Sequence, residues 1–169
     1  MSDLERFVTI LSLLENAQRN VGKTFIQKGI YILQEGLKED LDYQYRLHFY
    51  GPFSQELSND IDTLHDMGLI NVEYDVNRNG YQIEITDKGR EFLRKFGNYG
   101  ADVEKIKKVL SLIGKEQVRG MELIGTVLYF AKLTRDDLEI KRLVNMVKPH
   151  FSDSEIEEAL ERLREEGII

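Results

Sequence analysis

The chain contains no cysteine, no tryptophan and only two prolines among its 169 residues. Without cysteine it can form neither a disulfide nor a thiolate metal site, and it has no thiol nucleophile. No cationic apolar leader precedes Met1, so we expect a cytoplasmic protein. The longest nearly apolar run, Met121 to Leu133, is shorter than the roughly 20 residues that span a bilayer, and Glu122 and Lys132 interrupt it. This run predicts a buried helix and no association with a membrane.

Positive charge is also scarce. The 23 basic residues are outnumbered by 30 acidic ones, which gives a formal net charge of −7 and opposes nonspecific attraction to a nucleic acid backbone. The only histidines, His48, His65 and His150, lie far apart, so we expect no metal site and no other cofactor. No serine stands in a Gly-x-Ser-x-Gly elbow. The sequence therefore predicts a protein that is not an enzyme.

The segment from His48 to Phe92 has the pattern of a winged helix. Ser54 is placed to cap a helix, which continues through apolar residues at helical spacing and stops at Gly68. Residues 69–74 and 81–85 then alternate between apolar and polar types around a turn rich in Asn and Gly. They predict an antiparallel hairpin, the wing, and Thr86 is placed to cap the helix that follows.

Two further helices are predicted upstream of this segment. Ser2 and Glu5 form a capping box for the first, which should reach about Asn20, and Thr24 with Gln27 forms a second box. Gly36 is placed to end the second helix in a left-handed cap. Residues 43–50 are rich in aromatic side chains and predict an extended segment that turns at residues 51–52, Gly-Pro.

The C-terminal part reads as helical and repeats the earlier pattern. The pair Phe151-Ser152 leads through apolar residues at helical spacing to Gly167, as Phe53-Ser54 leads to Gly68. Two glycines within residues 97–100 suggest a hinge. The fold class that we predict is mainly α with a small β-hairpin: a winged-helix domain over residues 1–97, followed by a helical domain over residues 101–169 that resembles a truncated second winged helix without its wing.

Residues 17–24, Ala-Gln-Arg-Asn-Val-Gly-Lys-Thr, satisfy a relaxed phosphate-loop pattern. A genuine phosphate loop follows a buried strand, whereas an amphipathic helix leads into this one. An NTP-dependent enzyme acting through Lys23 is therefore a third hypothesis, behind the two that follow.

DNA binding is the alternative function. A winged helix usually places its third helix in the major groove, yet here residues 54–67 carry four carboxylates and no Lys or Arg. The acidic third helix thus disfavours nucleic acid as a partner. Basic residues near the wing and after it could contact DNA in a different way, and the candidates are Arg78, Arg90, Arg94 and Lys95.

The aromatic segment and the acidic helix favour a protein partner. Tyrosine-rich extended surfaces are common in protein interfaces, although packing in the core is the alternative for the same rings. We predict a noncatalytic protein-interaction or regulatory module that binds a partner or associates with itself, for example as a homodimer. The residues predicted to bind the partner are Tyr43, Tyr45, Phe49, Tyr50, Phe53, Glu56 and Asp60.

Two motifs carry a resemblance to known families. The run from Lys28 to Leu33, Lys-Gly-Ile-Tyr-Ile-Leu, and the run from His48 to Ser54, His-Phe-Tyr-Gly-Pro-Phe-Ser, resemble the YwgA-like family of bacterial and archaeal proteins. They are more distantly similar to the Panacea domain of SocA-like antitoxins, which implies binding to another protein. Residues 85–93 resemble the end of the wing and the next helix in winged-helix regulators, and this likeness implies a fold.

Overall fold

The computed structural model describes residues 2–169, and it is mainly helical with two small antiparallel hairpins. The predicted class, mainly α with a small hairpin, is confirmed, and the second hairpin is an addition to it. The elements of the first half are α1 (Asp3–Ala17), α2 (Lys23–Tyr31), β1 (Arg46–His48), β2 (Gly51–Phe53), α3 (Gln55–Asp66), β3 (Ile70–Asp75), β4 (Gly80–Ile85) and α4 (Asp87–Phe96). The second half contains α5 (Val103–Ile113), α6 (Val118–Ala131), α7 (Asp137–Val147) and α8 (Asp153–Glu165).

Local capping chemistry fixes the start of several helices as predicted. The capping box of Ser2 and Glu5 is present at α1, and the Ser54 hydroxyl accepts a hydrogen bond from the Leu57 amide at α3. These contacts satisfy backbone amides that have no partner inside the helix. Helix α1 stops short of the predicted Asn20, because Gln18 takes a left-handed conformation with φ of 55°.

Both predictions for the ends of α2 are wrong. Its N-cap is Gly22, which makes no side-chain cap, while the Gln27 side chain pairs with the backbone of Ser54 instead of closing a box with Thr24. At the other end α2 runs on into a π-helical turn, Ile32–Gly36, and Gly36 is not left-handed. A Cβ on Gly36 would lie 2.5 Å from a side-chain carbon of Ile168, so close packing is what requires glycine there.

The aromatic segment forms a hairpin, β1 and β2, whose turn lies earlier than predicted. Residues 49 and 50 make the turn, and the Gly-Pro pair opens the returning strand, with Leu47 opposite Pro52. Proline is tolerated because a strand of a two-stranded ribbon always has a free edge, where no amide donor is required.

The hairpin that was predicted as a wing is present as β3 and β4. Tyr74 pairs with Tyr81 and Ile70 with Ile85, so the alternating apolar residues share one face. The backbones of Val21 and Ile83 exchange two hydrogen bonds of 2.7 and 3.1 Å, which places the α1–α2 connection beside β4.

The repeated pattern of the sequence is also a repeat of local structure. Gly68 and Gly167 take left-handed φ values of 77° and 67° after α3 and α8. In each case the amide of the following residue donates to a carbonyl inside the preceding helix, that of Leu64 at 3.0 Å and that of Leu163 at 2.8 Å. The same αL ending arises twice because glycine adopts positive φ without a steric penalty.

Helix α6 lies in the middle of the core. Its residues from Met121 to Leu128 are all buried, as its apolar composition predicts, and it packs against α2, β2 and α8. The suggested hinge, residues 97–100, contacts α1, and the amide of Ala101 donates to the Thr9 hydroxyl at 3.0 Å. The division into units of residues 1–97 and 101–169 stays a prediction.

Candidate functional site

The tip of the β1–β2 hairpin is held from beneath by two lysines that come from distant parts of the chain. Nζ of Lys28, on α2, donates to the Pro52 carbonyl at 2.6 Å. Nζ of Lys148, just after α7, donates to the carbonyls of His48, at 2.9 Å, and of Phe49. These bonds fix the backbone on both sides of the turn.

Glu122 of α6 completes this group, which we call the charged cluster: Lys28, Glu122 and Lys148. A Glu122 carboxylate oxygen lies 3.0 Å from Nζ of Lys148 and 3.6 Å from Nε2 of His150. All three members of the cluster are buried. Buried charges require partners because removing them from water is costly, and here each has at least one.

Burial lowers the pKa of Lys28 to about 8, with the nearby Lys148 ammonium acting in the same direction and the Glu122 carboxylate opposing it. Desolvation disfavours the charged form of an amine, which explains the direction of this change. The Lys28 amine is already bound to a carbonyl in the interior and so is engaged in holding the hairpin.

Close approach of the hairpin to α6 depends on two glycines. Gly51 has φ of +93°, and a Cβ on it would lie 3.1 Å from Cε of Lys28 and 3.3 Å from the Glu122 carbonyl oxygen. A Cβ on Gly125 would lie 3.0 Å from Cδ of Pro52. The hairpin therefore rests directly on the helix backbone, where a side chain would separate them.

The two turn residues project into solvent above this anchored backbone. Phe49 is 78% exposed and Tyr50 is 58% exposed, although both have large apolar rings. The His48 ring lies 5.4 Å from the Phe49 ring and 5.2 Å from the Phe53 ring, centroid to centroid. The tip thus presents an aromatic surface on a backbone that cannot easily shift.

Two other aromatic residues predicted to bind the partner, Tyr43 and Tyr45, lie away from the hairpin tip and pack with other tyrosines. Tyr43 is buried, its hydroxyl donates to the Asp60 carboxylate at 2.6 Å, and the Arg6 guanidinium lies 4.4 Å from its ring centroid. The Tyr45 ring meets the Tyr31 ring edge to face at 4.8 Å. Burial, reinforced by the hydrogen bond to Asp60, raises the pKa of the Tyr43 hydroxyl above its ordinary value.

The two predicted carboxylates of α3 have partners within the chain. Glu56 forms an ion pair with Arg6 at 3.5 Å, and Asp60 accepts from Tyr43. Burial raises the pKa of Asp60 although the Tyr43 hydroxyl and Arg6 oppose the change. The structure thus brings Tyr43, Glu56 and Asp60 together around Arg6, whereas Phe49 and Tyr50 form a separate exposed surface.

The predicted DNA-contact residues do not form one free basic surface. Arg90 pairs with Glu15 at 3.0 Å and with Asp87 at 3.1 Å. Arg78, in the turn between β3 and β4, lies 3.6 Å from an Asp75 carboxylate oxygen. The remaining two candidates, Arg94 and Lys95, are exposed on α4.

Sequence reasoning missed Glu122 and Lys148 as parts of a site. Glu122 had a signal, since it interrupts a run that was expected to be buried, and a buried carboxylate needs a counterion. Lys148 had none, because its partners in the hairpin are about a hundred residues away in the sequence. The sequence analysis named Lys28 only as the first residue of the motif from Lys28 to Leu33.

Residues 2–169 contain neither a cluster of metal-ligating side chains nor a helix that could span a membrane. In that span no three or more His, Asp or Glu side chains come together in a way that could hold a metal ion. Across the same residues, none of the helices has the length and apolar character required to cross a bilayer. Lys23, the lysine of the phosphate-loop pattern, lies with Nζ 4.1 Å from the centroid of the Tyr81 ring.

The chain has a relative among known proteins. Over 165 residues the chain is 26% identical to "Uncharacterized protein YwgA" of Bacillus subtilis (strain 168), and the alignment covers 96% of each chain. This similarity supports a YwgA-like family, in agreement with the motif residues that meet at the hairpin. No model of a protein family matches the chain.

Proposed function

We propose that this protein is a noncatalytic, cytoplasmic protein-interaction or regulatory module that binds a protein partner, or a second copy of itself, through the tip of the β1–β2 hairpin. The observation that carries the proposal is the contrast between exposed rings and an anchored backbone within three residues, His48 to Tyr50. Phe49 and Tyr50 are exposed, while the backbone that presents them is tied to the buried Lys148 ammonium.

Such an arrangement suits recognition on energetic grounds. Aromatic anchors supply much of the binding energy at protein interfaces, and complete burial of a Phe side chain is worth roughly 1.5–3 kcal/mol. A turn that is already fixed loses little conformational entropy on binding. The charged cluster therefore lowers the cost of using these two rings in an interface.

The arrangement of the first half supports a regulatory role. Helices α1, α2 and α3 precede the β3–β4 hairpin, and the bridge between Val21 and Ile83 adds one more extended position beside it. This order resembles that of a winged helix, with the β1–β2 hairpin inserted between α2 and α3. The distant likeness to the Panacea domain rests on Lys28, Tyr31 and the Gly-Pro pair, and it supports a protein as the partner.

Affinity capture from source cells tests the proposal. We expect a protein that is retained by the wild-type chain to be lost when Phe49→Ala and Tyr50→Ala are combined, since the anchors of the interface are removed. The matched control combines Tyr74→Ala with Val76→Ala, because these side chains are 53% and 81% exposed on the other hairpin. Quantitative mass spectrometry of the retained proteins gives the measurement.

Self-association is read from the same variants by analytical ultracentrifugation. A dimer that dissociates in the Phe49 and Tyr50 variant, but not in the control, supports a second copy as the partner. If every protein captured by the wild type, and every dimer, survives loss of both rings, the hairpin tip is not the binding surface.

DNA binding is the second candidate, favoured by the winged-helix order of elements and by exposed Arg94 and Lys95. Against it, α3 exposes Asp62 and Asp66, and no cation lies between residues 54 and 67 to offset them. Fluorescence anisotropy with duplex DNA at low salt separates the candidates. A DNA-binding protein would show affinity that falls steeply with salt and weakens when Arg78, Arg90, Arg94 and Lys95 are neutralised.

A further inference from the structure

Acidic residues are missing from the two parts of the chain that meet at the hairpin tip. Residues 43–55, which include the hairpin, and residues 140–152, which include the end of α7, contain no Asp or Glu, although these types make up 30 of the 169 residues of the chain. Lys148 joins the two segments through its bonds to the carbonyls of His48 and Phe49. The tip is therefore a local exception in an acidic protein.

The buried groups beneath the tip carry a net positive charge. The charged cluster has two ammonium groups, those of Lys28 and Lys148, and one carboxylate, that of Glu122. Lys28 is mostly protonated at neutral pH because its pKa is about 8, so the cluster has a net charge of +1 there. Salt and water screen a buried charge only weakly, so its field extends to the surface of the tip.

Two backbone amides at the tip point away from the charged cluster. The carbonyls of His48 and Phe49 point inward to the Lys148 ammonium. In a trans peptide the N–H points opposite to the carbonyl of the preceding residue, and residues 2–169 contain no cis peptide bond. The amides of Phe49 and Tyr50 therefore point outward, and neither donates to a backbone acceptor within the described part of the chain. They are donors that a partner can use.

The side chains around these amides are apolar or cationic. Phe49 and Tyr50 expose their rings. Arg46 lies opposite Phe53 in the register of the hairpin, is exposed, and forms no ion pair with any of residues 2–169. His48 is two residues along the same strand and so shares the face of Arg46. Negative charge combined with apolar surface would complement this arrangement.

These features point to one kind of partner. Given the proposed role of the hairpin tip in binding a protein, we propose that the partner presents an acidic segment in which Asp or Glu side chains flank one or two large apolar residues. The apolar residues pack on Phe49 and Tyr50, and a carboxylate accepts hydrogen bonds from the amides of the same two residues. Arg46 adds a further attraction at the side of the hairpin.

Selection from a phage library of random peptides on the immobilised protein tests this partner class. We expect enriched peptides to combine Asp or Glu with large apolar residues, and we expect no such enrichment on the protein that carries Phe49→Ala and Tyr50→Ala. Fluorescence anisotropy then measures the affinity of the most enriched peptide. Its affinity should fall about tenfold when its Asp and Glu are replaced by Asn and Gln, because charge-assisted hydrogen bonds are lost.

Arg46→Gln tests the charge on the protein side. We expect about threefold weaker binding of the acidic peptide, a small effect because exposed ion pairs contribute little. Arg94→Gln is the matched control, since it removes an exposed cation from α4, and it should bind as the wild type does.

Several results would overturn the acidic partner: enriched peptides without Asp and Glu, no enrichment at all, undiminished affinity of the neutralised peptide, or equal weakening by both arginine variants. Neutral or basic peptides that are lost with the Phe49 and Tyr50 rings would leave the proposed function intact. Peptide binding that survives loss of both rings would refute the two proposals together. Tighter binding of a single-stranded oligonucleotide at equal salt would assign the surface to nucleic acid and also overturn the acidic partner.

Discussion

The Lys148 ammonium lies 3.0 Å from a Glu122 carboxylate oxygen, and both side chains are only 9% exposed. The same ammonium binds two carbonyls of the hairpin turn. One buried cation thus joins α6, the end of α7 and the β1–β2 hairpin. The aromatic tip owes its fixed position to this contact between parts of the chain that are remote in sequence.

Loss of the Lys148 charge should destabilise the fold. Lys148→Met leaves Glu122 with fewer partners and two turn carbonyls without a donor, so we expect the free energy of unfolding to fall by about 3 kcal/mol. Urea denaturation measures it. Lys107→Met is the control, because its pair with Glu104 is exposed and should contribute less than about 0.5 kcal/mol. Equal effects of the two changes would mean that the charged cluster does not stabilise the protein.

Lys28 should make stability rise with pH just above neutrality. Its pKa is about 8 in the folded chain, against an ordinary value of 10.5, so between these values the unfolded chain binds more protons. The free energy of unfolding should then increase by about 2 kcal/mol from pH 7.5 to 9.5. Lys28→Met should lack this increment, measured as the difference between urea titrations of the two proteins. A slope that persists in the variant would assign the pH dependence to other groups.

The pH range of that experiment is limited by the tyrosines. Burial raises the pKa of Tyr31 and of Tyr45, so above about pH 10 the unfolded chain loses phenol protons that the folded chain retains. Stability should therefore fall again in that range. Readings below pH 10 isolate the contribution of Lys28.

Gly51 should tolerate no side chain. Gly51→Ala places a Cβ 3.1 Å from Lys28 and forces a residue with φ of +93° into a conformation that L-residues rarely adopt. We expect a loss of about 2 kcal/mol or more, seen as a lower Tm by calorimetry. Gly80→Ala is the control, since its Cβ would meet only the Arg78 carbonyl oxygen at 3.9 Å and its φ is not positive. A control as unstable as Gly51→Ala would remove the steric explanation.

Gln27 should be as important as an apolar core residue. Its side-chain amide donates to the Ser54 carbonyl and accepts from the Ser54 amide, both at 2.9 Å and both buried. Gln27→Leu leaves these backbone groups unpaired, and we expect a loss of about 2–3 kcal/mol in urea denaturation. Gln55→Leu, on the exposed side of α3, should change stability by less than about 0.5 kcal/mol. Stability unchanged in Gln27→Leu would show that water replaces the side chain.

Much of the fold could be predicted because its signals are local. The capping box of Ser2, the cap at Ser54 and the glycine endings at Gly68 and Gly167 each depend on residues within one or two turns of helix. The β3–β4 hairpin depends on alternation of apolar and polar residues within two short runs. The capping box predicted for Thr24 and Gln27 is absent, because the Gln27 side chain forms hydrogen bonds with the backbone of Ser54 instead. A local sequence pattern does not show that a side chain has a distant partner.

Within the candidate site, Phe49 and Tyr50 were among the predicted residues, but their separation from Tyr43 was not foreseeable. Alternation along an extended segment cannot show which rings will be covered, since residues of α1, α2 and α3 provide the cover. Likewise the Arg6 contact that engages Tyr43 and Glu56 comes from α1.

The amino-acid sequence by itself determined the helices, the β3–β4 hairpin, the repeated glycine endings and the aromatic composition of the β1–β2 hairpin, because these follow from conformational preferences and hydrogen bonds between near neighbours. Only the tertiary structure decided that Lys28, Glu122 and Lys148 meet beneath the turn and that a cleft lined by tyrosines forms beside the end of α2. The reason is that a charge becomes part of a buried cluster only when packing removes it from water, and packing is set by contacts across the whole chain.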